Sequence, residues 1–115
     1  MNVKLLKSKI HRATVTNSDL HYIGSIGIDE DLMDAASILN YEKVHVFNIN
    51  NGERFETYVI KEERGSGIVG IYGAAARKVA LGDLIIVVAY ASMSMEEARK
   101  FTPAVAIPDE NNQLK

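Results

Sequence analysis

The chain has 115 residues, 47% hydrophobic and 24% charged, a composition that fits one globular domain with a core of its own. Its 13 basic and 15 acidic residues leave a net charge of -2, which argues against nucleic acid or an anionic membrane surface as the main partner, since both select basic faces. There is no cysteine, so disulfides, thiolate zinc sites and cysteine nucleophiles are excluded; no apolar run marks a signal peptide or a membrane span, and a cytoplasmic protein is expected.

In chain order, "KIHRATVT" (residues 9–16) alternates as a strand, with Lys9, His11, Ala13 and Val15 on one face. "NSD" reads as a turn. "LHYIGSI" (20–26) reads as a second strand, with Tyr22 and Gly24 on the same face. Asp29 is placed to cap a short helix, and Glu30 and Asp31 put negative charge in its first turn. "KVHVFNI" is a third strand, "NNG" at 50–52 a hairpin turn, and "ERFETYVI" the return strand. On that return strand Arg54, Glu56 and Tyr58 share one face, while Phe55 and Thr57 take the other.

After "KEERGSG", "IVGIY" reads as a strand and "GAAARKVA" as one or two helical turns entered through Gly73. "GDLIIVVAYAS" reads as a fully buried strand, "MEEARKF" as a final helical turn and "PAVAI" as a last strand. Six or seven short strands with two small helices predict a mainly-β small barrel in a single domain, residues 1–115. An apolar outer face on so small a barrel would be expected to pair with copies of itself.

Several motifs have a plain structural reading. "GSGIVG" (65–70) fits G-x-G-x-x-G, but a polar run precedes it and a strand follows, so a glycine-rich loop entering a strand accounts for it better than a nucleotide site. His11, His21 and His45 form no i, i+4 pair, and no acid lies at ligand spacing, so no metal site is expected. Lys9 and His11 fit a solvated strand face. Arg54 and Tyr58 fit an ordinary amphipathic strand, yet they also offer a planar fork for a carboxylate and a phenolic proton. The glycine and three alanines from Gly73 fit a close-packed helix start, or backbone N–H groups left open to an anion.

Gly24-Ser25 asks for more. A serine hydroxyl lies within reach of the carbonyl carbon before it. Attack there moves the acyl group from nitrogen to oxygen, and elimination across the ester cuts the chain. The new N-terminus, dehydroalanine, hydrolyses to a pyruvoyl ketone. Glycine before the serine leaves the attack unobstructed and tolerates unusual torsions.

The set "KIHRATVT", "DLHYIGSIGID", "NNGERFETYVI", "RGSG" and "YGAAARKVALGDLIIVVAY", in this order and spacing, resembles the bacterial aspartate 1-decarboxylase family from Lys9 to about Ala91. The resemblance implies a six-stranded double-psi β-barrel, a homotetramer with active sites between subunits, and conversion of L-aspartate to β-alanine and carbon dioxide for pantothenate and coenzyme A synthesis. It implies self-cleavage between Gly24 and Ser25 into chains 1–24 and 25–115. Ser25 would become the pyruvoyl cofactor, which forms a Schiff base with substrate and replaces pyridoxal phosphate; no metal is involved. Thr57 would hold the oxyanion during cleavage and contact substrate, and Tyr58 would donate the proton. Lys9, His11 and Arg54 would form the pocket for the anionic substrate, the Gly73, Ala74 and Ala75 backbone would hold it, and Tyr22 would lie close to the reacting centre. Spontaneous cleavage and cleavage helped by a maturation protein are both open. The resemblance breaks at Tyr72, where many family members have Asn. The competing expectations are a non-catalytic double-psi barrel, the topology the resemblance implies, used as a binding module such as a chaperone-type substrate domain, and a small β-barrel DNA-binding regulator.

Overall fold

The computed structural model describes Met1–Lys115. Six principal strands carry it: β1 (Asn2–Thr14), β3 (Ser25–Asp29), β4 (Lys43–Asn48), β5 (Arg54–Glu62), β6 (Val69–Tyr72) and β7 (Leu84–Ser94). Two three-residue strands, β2 (Asn17–Asp19) and β8 (Ala104–Ala106), extend the sheet at its ends. Two helices, α1 (Glu30–Ala36) and α2 (Met95–Lys100), and a 3-10 helix, Gly73–Lys78, fill the connections. The strands run in the order β2-β6-β3-β5-β4-β7-β1-β8 and curl around one core built on Ile10, Ile26, Leu32, Val46, Ile71 and Val87. The expected mainly-β small barrel is what forms.

Local signals set most of these elements. Asp29 Oδ1 accepts from Asp31 N at 2.9 Å and caps α1. The 50–52 turn closes with Asn48 N donating to Glu53 O at 2.8 Å, and Gly52 takes the positive φ of 76° that the turn needs. Ser94 and Glu97 form a reciprocal capping box on α2. The "GSGIVG" stretch is a loop leading into β6. Its Gly65 and Gly67 amides donate to the Asp29 carboxylate at 3.1 and 2.9 Å.

Four expectations are corrected. "NSD" is not a turn: Asn17–Asp19 forms β2, which pairs in parallel with β6. "LHYIGSI" is not one strand. Residues 20–24 leave the ladder, and β3 begins only at Ser25. Ala13 and Val15 do not share the face of Lys9 and His11. A bulge between His11 and Ala13, with Arg12 at φ 68°, inserts one residue and turns the following side chains into the core. β7 is buried on both faces only over Val87–Ala89; Tyr90 emerges from the sheet.

Asp29 is 1% exposed, and its carboxylate serves three backbone amides: Asp31, Gly65 and Gly67. Removing it uncaps α1 and strands two loop donors. Asp29→Ala is therefore expected to lower stability by about 3 kcal/mol, the sum of a lost cap and unmet buried amides. A fall in the urea midpoint at unchanged slope would show it.

Candidate active site

Ser25 opens β3 and is 3% exposed. Its Oγ donates to Ile23 O at 3.3 Å, so the hydroxyl turns back toward the residues that precede it. On one side β3 pairs antiparallel with β6, which sets Ser25 opposite Tyr72 and Gly27 opposite Gly70. On the other side it pairs in parallel with β5, with Gly27 beside Ile60. Directly paired residues share a face, and alternate residues return to it. Ser25, Gly27, Tyr58, Ile60, Glu62, Gly70 and Tyr72 thus all point to one side of three adjacent strands.

A cavity of about 380 Å³ lies over this face. Ser25, Tyr58, Ile60, Glu62 and Tyr72 line it, and Asp19, Tyr22 and Ile23 complete it from the segment before Ser25. The glycines explain how it stays open. A Cβ on Gly27 would overlap the Glu62 carboxylate, and one on Gly70 would overlap the Tyr72 hydroxyl. In the space they leave, Tyr72 Oη donates to Glu62 Oε2 at 2.9 Å. The Tyr22 ring meets that of Tyr72 edge-on, with centroids 5.3 Å apart. Burial first, then the hydrogen bond to Glu62 and its charge, push the Tyr72 phenol up to about 12.

Gly24 and Gly73 meet in the same way. Gly73 has φ 76°, a conformation that costs other residues strain, and a Cβ there would sit 2.5 Å from Gly24 Cα. The peptide at the expected cleavage position is therefore covered by a neighbouring backbone without a side chain between them.

Of the residues singled out in the sequence, Ser25, Tyr22 and Tyr58 meet in the cavity, and Gly24 and Gly73 lie against each other at its edge. Lys9, His11 and Arg54 do not line it; they stand on the outer face of the β5-β4-β7-β1 part of the sheet. Arg54 pairs through Phe47 and Ile86 to His11, and its guanidinium lies 4.2 Å from the Phe47 ring centroid. His11 Nδ1 is buried without a hydrogen-bond partner. Burial, helped by the charges of Lys9 and Arg12, lowers the His11 pKa. Thr57 faces away from Tyr58, opposite Val44, as the strand alternation requires. Ala74 is exposed, and Ala75 packs against the core. No group of three or more His, Asp or Glu side chains is placed to hold a metal ion.

Glu62, Asp19, Ile23 and Ile60 also line the cavity and carry no motif of their own in the sequence. Glu62 was within reach: it continues the alternation of Arg54, Glu56, Tyr58 and Ile60. What the sequence does not show is the register that puts Gly27 beneath it and Gly70 beneath its partner Tyr72.

The family model described as aspartate decarboxylase matches residues 1–115, the whole chain. The chain belongs to the aspartate decarboxylase family. It is 60% identical over 114 residues to the aspartate 1-decarboxylase of Cytophaga hutchinsonii, covering 99% of both chains. It is 62% identical over 109 residues to that of Parabacteroides distasonis, covering 95% of this chain and 94% of the relative. To that of Caldicellulosiruptor saccharolyticus it is 59% identical over 114 residues, covering 99% of this chain and 89% of the relative. For a member of the aspartate decarboxylase family, the cavity around Ser25 is the place to look for chemistry.

The Tyr72 phenol holds its proton more tightly folded, at about 12, than at its ordinary 10.0. Its contribution to stability is complete below pH 10 and is lost as pH rises from there through 12. Tyr72→Phe is expected to flatten this alkaline loss, read as urea midpoints across that window, whatever it does to stability at neutral pH.

Proposed function

We propose that this chain is an aspartate 1-decarboxylase. It converts L-aspartate to β-alanine and carbon dioxide, the reaction that supplies β-alanine for pantothenate. We propose further that it cuts itself between Gly24 and Ser25 into chains 1–24 and 25–115, and that Ser25 becomes a pyruvoyl group. One observation carries the reading. Ser25 is a buried serine lining a cavity, its hydroxyl turned back along the chain and its preceding glycine free of any covering side chain.

Removing the α-carboxylate of aspartate leaves an electron pair on the α-carbon that needs a sink. The pyruvoyl ketone, when formed, would supply one by condensing with the substrate amine, a task otherwise given to pyridoxal phosphate. The remaining work belongs to side chains. Tyr58 lines the cavity and is 36% exposed, which suits a phenol that delivers a proton to the α-carbon and recovers one from water. Arg54 suits the carboxylate that stays, and Lys9 and His11 the remaining polar contacts. Thr57 faces away from the cavity of its own chain, so its expected part, holding the oxyanion of the cleavage step, is proposed for the site of a neighbouring copy, and the Gly73, Ala74 and Ala75 backbone holds substrate.

Arg54 sits four residues from Tyr58, about 13 Å along the strand at roughly 3.3 Å per residue. Lys9 lies three strand spacings further across, about 14 Å at roughly 4.8 Å each. Neither reaches the cavity of its own chain. This supports a site shared between copies, in which the outer sheet face of one chain closes the cavity of another, within a homotetramer. Exposed apolar residues favour such an assembly: Ile23 and Leu39 are each 73% exposed. No helix is long and apolar enough to cross a membrane.

Intact mass under denaturing conditions tests the cleavage. Two chains are expected, the larger lighter by one ammonia than a plain serine N-terminus, and Ser25→Ala should stay whole. Carbon dioxide and β-alanine released from L-aspartate test the reaction. The shared site has its own test. Ser25→Ala and Arg54→Ala are each expected to be inactive alone and to regain activity when co-assembled. An inactive mixture would place the whole site within one chain.

A further inference from the structure

Resting on the pyruvoyl reading, we propose that Glu62 is a catalytic residue that receives the ammonium group of the substrate and takes its proton, with Tyr72 the residue that positions it. Only two carboxylates line the Ser25 cavity, Asp19 and Glu62. Asp19 belongs to the exposed β2 segment, and its Oδ1 already accepts from His21 N. Neither acid enters an ion pair, and the Arg64 near Glu62 is taken by Glu30, Asp31 and Asp34. Glu62 differs in how it is held: one of its oxygens accepts from the Tyr72 side chain, itself part of the cavity wall. Its place is reserved, because any side chain at Gly27 would displace it. The strand register puts it on the face shared by Ser25 and Tyr58.

An amino acid arrives with its amine protonated, and a protonated amine has no lone pair with which to attack a ketone. An unpaired carboxylate lining the same cavity as the proposed ketone answers this need. The N–H bond breaks, an O–H bond forms on Glu62, and the freed pair attacks the carbonyl carbon. One further proton then passes from the attacking nitrogen to the former ketone oxygen, the proton held by Glu62 joins it there, and the oxygen departs as water, leaving a protonated C=N bond. Glu62 ends as it began, and no outside base or oxidant is needed. The same charge repels the two carboxylates of aspartate, which turns them toward the basic residues proposed to come from the neighbouring chain.

The test separates amine deprotonation from access to the ketone. Matured wild type and Glu62→Gln are mixed with L-aspartate and borohydride, and the trapped aspartate adduct on chain 25–115 is followed by mass. In parallel, each is treated with methoxyamine, whose nitrogen is already neutral at pH 7. Gln keeps the hydrogen bond from Tyr72 and loses the basicity. Aspartate capture is expected to slow about 100-fold in Glu62→Gln, the usual worth of a general base, with methoxyamine capture within about twofold of wild type. Unchanged aspartate capture overturns the proposal. Equal slowing of both reagents also overturns it, since Glu62 would then only shape the cavity. A variant that matures slowly is still scored, because methoxyamine marks only chains that carry the ketone. Tyr72→Phe is expected to slow aspartate capture about tenfold and leave methoxyamine capture unchanged, a fraction of the full base effect. No change in either reagent would remove Tyr72 from the proposal. A wild type that methoxyamine does not label would instead sink the pyruvoyl reading.

Discussion

Much of this molecule depends on one buried carboxylate. Asp29 ends β3, caps α1, and receives the Gly65 and Gly67 amides of the loop that feeds β6. That junction fixes where β6 starts relative to β3. The register then runs back along both strands and sets Gly27 opposite Gly70 and Ser25 opposite Tyr72. A charge in so dry a place is tolerated because backbone amides satisfy it from several sides. Asn112 braces the same loop from the tail, donating to Gly67 O and Thr14 O and accepting from Thr14 N, each at 2.8 Å.

The glycines around Ser25 act as absences that other groups fill. Gly27 and Gly70 face each other and make the floor on which Glu62 and Tyr72 lie. Gly24 and Gly73 let two backbones touch at the peptide proposed to break. A sheet usually loses packing energy at glycine. Here the vacated volume is given to a carboxylate and a phenol, which are worth more to a reacting site than two further methyl groups are to a core.

Local chemistry was legible in the sequence, and register was not. The Asp29 cap, the 50–52 hairpin, the turn through Gly73 and the Arg54–Tyr58 alternation all rest on neighbours in sequence, and all stand in the structure. The failures have a common cause. Arg12 looks like any strand residue, yet it occupies a bulge that flips Ala13 and Val15 inward. "NSD" has turn composition but meets β6 from far along the chain. The partnership of Glu62 with Tyr72 spans ten residues and needs two glycines from two strands to exist. Family membership came from a whole-chain pattern, while the cavity came from pairing between strands.

The placement of β1 bears on what a broken chain would be. Residues 1–24 include all of β1, held between β7 and β8, and also β2, which pairs at the far end of the sheet with β6. Ile10, Ala13 and Val15 of that stretch are buried in the common core. A cut after Gly24 would release nothing while the fold persists. Once unfolded, though, the two pieces would have to find each other again. Refolding would change from a first-order event to a second-order one, governed by concentration. Dilute enough, the cut protein would be kept in its working shape by the slowness of unfolding and not by equilibrium.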